Sequence, residues 1–227
     1  MDRASIALAV ALAISALLFS LFPQIDMAVS TSFYGAHGFI AANNPRVELL
    51  RSMAWWLSDA MFLLALAALL VALTSRRLLF GIGRWTATYM LTLFLLGPVL
   101  LSNRLLKGYW GRARPADVAD FGGAHQFTPF WLPSDQCLAN CSFVSGEVSG
   151  TAVTAICMVL LRKGIEQAAG RVVAMVWTVI ALLLPVVVSL QRITSGRHFL
   201  SDAVFAVLFM MVIALLLRPL LRKDDPA

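Results

Sequence analysis

His198 stands six residues after Arg192 and four residues before Asp202. On a helix, positions four apart share a face. The Asp202 carboxylate can therefore hold one ring nitrogen of His198 and leave the other free to attack an electrophile. Lys107, Arg112 and Arg114 form a second cluster, and Ser145, Gly146 and Glu147 a third. Arginine offers paired hydrogen bonds to phosphate oxygens, lysine a point charge, and a Ser-Gly turn at a helix start its unused N–H groups. Cations around an oriented histidine nucleophile amount to phosphoryl transfer without a metal. The chain has no H-E-x-x-H run and no Cys/His ligand spacing, and the chemistry requires no cofactor. For any one of these charges the plainer reading is snorkelling to headgroups or a structural ion pair. The functional reading rests on their convergence.

Convergence depends on the elements that carry them. Of 227 residues 60% are hydrophobic and 13% charged, against roughly 45–50% and 25% in soluble domains. That composition excludes a soluble enzyme, a disordered chain and a small secreted disulfide scaffold. It predicts an all-α polytopic membrane protein, one integral domain over residues 1–227, with its motifs within 107–202. Six stretches reach the length of a span: Ile6–Phe22, Met53–Thr74, Trp85–Leu101, Gly146–Leu161, Val172–Leu190 and Phe199–Leu217. The first is longer than a signal-peptide core, lacks a basic leader and is read as a retained helix. The fourth is short and begins with Gly146, Ser149, Gly150 and Thr151, small residues that mark close packing or a lined cavity.

The basic residues set the orientation. Arg3, Arg76, Arg77, Arg84, Arg162, Lys163, Arg171, Arg218, Arg222 and Lys223 fall on one side with only Asp2, Glu166, Asp224 and Asp225, while the other side is neutral. By the positive-inside rule both termini are cytoplasmic in a six-helix bundle. This asymmetry accounts for the net charge of +6 without nucleic acid. All three clusters then meet at the outer face. Two outer segments have room for structure: Pro23–Ser52, which could re-enter or lie at the interface, and Ser102–Ser142, whose aromatics predict a loop resting on the outer leaflet. Cys137 and Cys141 lie in that outer loop, where oxidation is permitted. Their spacing either closes a small disulfide loop ahead of Ser145 or leaves two thiols. Cys157 falls in the fourth span.

The three clusters resemble the signature of the type 2 phosphatidic acid phosphatase superfamily, which also includes vanadium haloperoxidases and glucose-6-phosphatase. K-x6-R-P matches Lys107, Arg114 and Pro115. P-S-G-H matches Ser145 and Gly146, and S-R-x5-H-x3-D matches Arg192, His198 and Asp202. The resemblance implies that His198 becomes a phosphohistidine, that Asp202 orients it, and that Lys107, Arg114, Arg192 and the backbone at Ser145 and Gly146 hold phosphate oxygens. Val144 replaces the motif's proline, Gln191 its serine, and Glu147 the histidine that protonates the leaving group. Glu147 is thus a general base if ionised and an acid if burial keeps it protonated.

The run from Cys137 to Glu147 looks like a bacterial subgroup that includes lipid A 1-phosphatase-like proteins. The resemblance implies a metal-independent phosphatase of the bacterial inner membrane, with its site facing the periplasm. Its substrate would be a phospholipid or glycolipid phosphate: lipid A 1-phosphate, phosphatidylglycerophosphate, undecaprenyl diphosphate or phosphatidic acid. The competing readings are a lipid-to-lipid phosphotransferase and an anion or lipid transporter. No obligate protein partner is evident in the sequence.

Overall fold

A computed structural model describes residues 2–75 and 78–221. Arg76, Arg77, Arg222, Lys223, Asp224 and Asp225, used above to set orientation, lie outside the described residues. The fold is helical. It comprises α1 (Arg3–Leu21), α2 (Gln24–Thr31), α3 (Pro45–Ser75), α4 (Arg84–Phe94), α5 (Lys107–Tyr109), α6 (Gly146–Leu160), α7 (Arg162–Ala169), α8 (Arg171–Thr194), α9 (Leu200–Leu216) and α10 (Arg218–Leu221). Between α4 and α5 the chain continues as a π-helical stretch, Leu95–Leu106, which carries Pro98. A two-residue antiparallel hairpin, β1 (Tyr34–Gly35) and β2 (Gly38–Phe39), follows α2.

Each of the six apolar stretches is helical, but they are not equal. Among the described residues four helices are long and apolar enough to cross a membrane: α1, α3, the continuous run Arg84–Tyr109, and α8. The fourth stretch becomes a fifth candidate when α6 is taken with α7, which turns away by 51°. The sixth, α9, has 17 residues. Residues Arg162 to Ala169, read from sequence as part of a charged loop, are helical. The third helix runs past Leu101 to Tyr109, because the π-helical turns hold Ser102 against Ser149, Oγ to Oγ, at 2.7 Å. α3 begins at Pro45, eight residues before the apolar run.

α6 sits at the centre, packed against α3, α8, α9 and the π-helical stretch. This placement explains its small polar residues. Ser149 bonds Ser102, and Thr154 donates to Ser58 Oγ at 2.9 Å. In a core without water each hydroxyl needs such a partner. Exposed apolar side chains lie on the outer helices, among them Ile14 and Leu17 of α1 and Val172 and Val176 of α8.

Most aromatics of the Ser102–Ser142 segment turn into the protein rather than outward. Phe130 stacks on Phe205 with ring centroids 4.4 Å apart, Phe127 meets Phe199, and Phe121 meets Phe39. Tyr109 and Trp131 stay exposed. The rings therefore brace the segment against the helix ends. Pro23–Ser52 folds over the same end, with Asp26 buried. At the turn between α8 and α9, Gly196 has φ +67°, and a Cβ there would meet the Phe39 ring at 2.3 Å. Only glycine admits both the turn and that ring.

Candidate active site

Backbone hydrogen bonds bring the three sequence clusters together. Cys141 N–H donates to Lys107 O, Ser142 N–H to Arg112 O, Ser145 N–H to Asp202 O, and Ala116 N–H to Gly196 O. Segments distant in sequence thus share one end of the bundle. The Ser145 hydroxyl caps α6 by accepting from Val148 N–H at 3.4 Å. Gly146 follows, and the N–H groups of this first turn have no acceptor within the helix. A Cβ on Gly146 would lie 2.3 Å from Asn103 Oδ1 and 3.3 Å from Lys107 Nζ. The glycine is what lets the lysine reach the helix start.

The charged groups surround Glu147. Its carboxylate lies 3.9 Å from Lys107 Nζ, 3.7 Å from Arg192 Nη2 and 3.8 Å from Arg51 Nη1. Arg51 also pairs with Glu48. Lys107 and Arg192 are buried. Arg114 stands beside this group and donates to the Asn140 carbonyl at 2.7 Å. Burial pushes its guanidinium below the ordinary value while Glu147 acts the other way. A cavity of about 470 Å³ opens here, lined by Trp55, Asn103, Lys107, Asn140, Gly146 and Glu147.

His198 is fully buried. Its Nδ1 lies 2.8 Å from the Ser142 carbonyl oxygen. A carbonyl has no proton to give, so Nδ1 is the donor and Nε2 carries the lone pair. Nε2 has no hydrogen-bond partner among the described residues. The spacing argument put Asp202 on the ring directly. Instead Asp202 Oδ2 stands 3.8 Å from Nδ1, beyond hydrogen-bond reach, and accepts from Ser142 Oγ at 2.5 Å and Phe199 N–H at 2.8 Å. The carboxylate therefore acts on His198 through Ser142.

The other oxygen of Asp202 accepts from Arg112 Nη1 at 2.6 Å. Arg112, counted in the second cluster but given no role by the family motif, is entirely buried. It also donates to Asp26 Oδ2 at 2.8 Å, Ser201 Oγ at 2.8 Å and Thr128 O at 2.8 Å, and its guanidinium lies 4.4 Å from the Phe199 ring centroid. Asp26 in turn accepts from Ser201 N–H and Oγ. Burial pushes the Asp26 carboxyl above its ordinary value, with Arg112 opposing. Arg112 had a signal, its place two residues before Arg114. Asp26, Ser142 and Arg51 had none. Cys137 and Cys141 are joined by a disulfide just ahead of Ser142.

The model of the PAP2 superfamily matches residues 85–225. The chain is 36% identical over 119 residues, 52% of its own length, to a lipid A 4'-phosphatase of Rhizobium leguminosarum, and that match covers 48% of the relative. The chain thus spans about half the length of the rhizobial relatives it matches. With a lipid A 4'-phosphatase of Francisella tularensis subsp. novicida it shares 31% identity over 199 residues, 86% of each chain. Its fold is similar to the crystal structure of a transmembrane PAP2-type phosphatidylglycerolphosphate phosphatase from Bacillus subtilis. The TM-score there is 0.62 at 19% identity, covering 99% of this chain and 98% of that one. With a matched signature, a matched architecture and a relative aligned over most of its length, the chain belongs to the PAP2 superfamily.

Proposed function

We propose that this protein is a membrane lipid phosphatase acting on a phosphorylated glycolipid, through a phosphohistidine at His198. The observation that carries this reading is the unpartnered Nε2 of His198, its tautomer set by Ser142, beside Lys107, Arg192 and Glu147. Nε2 attacks phosphorus, and the bond to the headgroup oxygen breaks as the N–P bond forms. Lys107, Arg114, Arg192 and the first-turn N–H groups of α6 hold the phosphoryl oxygens, the kind of fixed electrostatic support that lowers such barriers. Water then attacks the phosphohistidine, with Glu147 taking its proton, and releases phosphate and free Nε2.

The names of the relatives favour a lipid A phosphate as the substrate class, and they point to its 4'-position where the sequence pointed to the 1-position. In this reading α1, α3, Arg84–Tyr109, α6, α8 and α9 make six spans, with both termini cytoplasmic and the site at the periplasmic face of a bacterial inner membrane. Reporters fused at Gly122 and after Lys163 should read outside and cytoplasmic.

The deciding experiment is phosphate release from a panel of pure lipids in detergent, with EDTA present. Wild-type protein should release phosphate, His198→Ala should not, and Arg114→Ala or Arg192→Ala should each lose about 2–3 kcal/mol of transition-state stabilisation. Wild-type turnover by His198→Ala would overturn the phosphohistidine, and no phosphate release by the wild-type protein from any lipid would leave binding or transport.

A further inference from the structure

Asp59 is the sole charged residue of the apolar stretch from Met53 to Thr74. Ionisable groups at membrane depth are costly and usually mark a site. Asp59 lies eight residues beyond Arg51 on α3, about 12 Å further along the helix at 1.5 Å per residue. Arg51 reaches Glu147, so Asp59 sits that much deeper than the cationic cluster. The neighbouring helix gives the same depth. Ser58 Oγ accepts from Thr154, which stands seven residues, about 10 Å, beyond Glu147 on α6.

At that depth Asp59 is exposed, and no hydrogen bond or ion pair holds it among the described residues. It lines a groove of about 260 Å³ whose walls include Phe62, Phe94, Pro98 and Val99. The groove shares Trp55, Asn103, Gly146 and Glu147 with the cavity at the phosphate site. The two form one path from the cations down into the apolar wall. A lipid gripped by its phosphate at His198 lays along this path the unit that joins phosphate to chains, and then the first chain linkages.

Amide or hydroxyl donors at that depth would favour the charged form of such a carboxyl, which accepts hydrogen bonds and donates none. The ester linkages of a diacylglycerol phosphate also only accept, so they would meet Asp59 favourably only after it takes up a proton. An N-acylated amino sugar offers an amide N–H, and hydroxylated chains offer O–H, at the corresponding depth. We propose that Asp59 is a specificity-determining residue that accepts a hydrogen bond from the amide or hydroxyl donors of an N-acylated amino-sugar phosphate and disfavours diacylglycerol phosphates. This inference rests on the phosphatase reading above.

The test compares two phosphomonoesters with the full-length protein in detergent: a monophosphorylated N-acylglucosamine lipid and a diacylglycerol phosphate of equal chain length. The ratio of their kcat/KM values is measured for wild type, Asp59→Ala and Asp59→Asn. Asp59→Ala should lower the amino-sugar to diacylglycerol ratio about tenfold, mostly through KM, as loss of one hydrogen bond to a charged group would. Asp59→Asn, which introduces N–H donors, should accept the ester lipid better than wild type does. An unaltered ratio in both variants would overturn the assignment, as would equal losses on both lipids with an unchanged melting temperature. His198→Ala keeps the two readings apart. If it is silent on both lipids while the Asp59 ratio stays fixed, only the Asp59 inference falls. If it turns over either lipid, the phosphohistidine at His198 falls and the Asp59 ratio is judged on its own.

Discussion

Nε2 of His198 and Oε2 of Glu147 face each other at 3.7 Å, and neither atom has a hydrogen-bond partner among the described residues. The distance exceeds a direct hydrogen bond. It places a carboxylate oxygen beside the nitrogen that would carry phosphorus, among the cations that would receive phosphoryl oxygens.

Three cations around Glu147 match a carboxylate rather than a neutral acid, and a carboxylate is a base. Glu147→Gln should therefore slow hydrolysis of the phosphohistidine more than its formation, and the phosphorylated protein should accumulate. Single-turnover kinetics with acid-labile phosphoprotein detection separates the steps. A variant that never becomes phosphorylated would show that Glu147 protonates the leaving group.

Arg112→Ala should destabilise the protein by about 3–5 kcal/mol, because it strands two buried carboxylates, Asp26 and Asp202. Arg112→Lys should not restore the loss. One ammonium cannot span the four oxygens that the guanidinium fork reaches. Thermal unfolding in detergent measures both, and a melting temperature equal to that of wild type would refute the hub.

Removing the Cys137–Cys141 crosslink with serine substitutions should cost about 2 kcal/mol, the loop-entropy value for so short a ring. Activity should fall as well, since the ring abuts Ser142, whose carbonyl holds His198. Thiol labelling of denatured, unreduced protein should tag Cys157 alone.

At the end of the bundle opposite the site, Asp2 accepts from Ser5 N–H at 2.9 Å and from Arg218. The Ser5 backbone bond, with help from its hydroxyl and Arg218, holds the carboxyl down at about 2 from an ordinary 3.8. A depressed acid stabilises the fold above its unfolded value and loses that contribution as pH falls through the folded one. The melting-temperature gap between wild type and Asp2→Ala should therefore be full at roughly pH 6 and shrink towards roughly pH 2.

What the sequence disclosed follows a physical divide. Lys107, Arg114, Ser145, Gly146, Arg192 and His198 are legible because each motif is local and the helix ends carry them to one face. The apolar stretches were legible by hydropathy, but their limits were not. Ser102 to Tyr109 stays helical on polar residues that pack against α6, and Arg162 to Ala169 is a charged helix that a hydropathy criterion passes over. Asp26 was invisible because its partner Arg112 lies 86 residues away, and nothing local marks it. Asp202 was assigned to the ring from helical spacing, yet the helix begins only at Leu200, so His198 precedes it and the i, i+4 geometry does not apply.

The bond from Asp26 to Arg112 has a consequence for how this protein can be cut and recombined. The family match starts at residue 85, but the carboxylate completing the guanidinium's charge balance comes from residue 26. The leading third of the chain is therefore a component of the scaffold around His198, not an anchor to be exchanged. A chimera that grafts residues 85–225 onto another member's opening helices would inherit the catalytic signature without the counter-ion beneath it. Interchangeable parts in this fold must be defined by who neutralises Arg112.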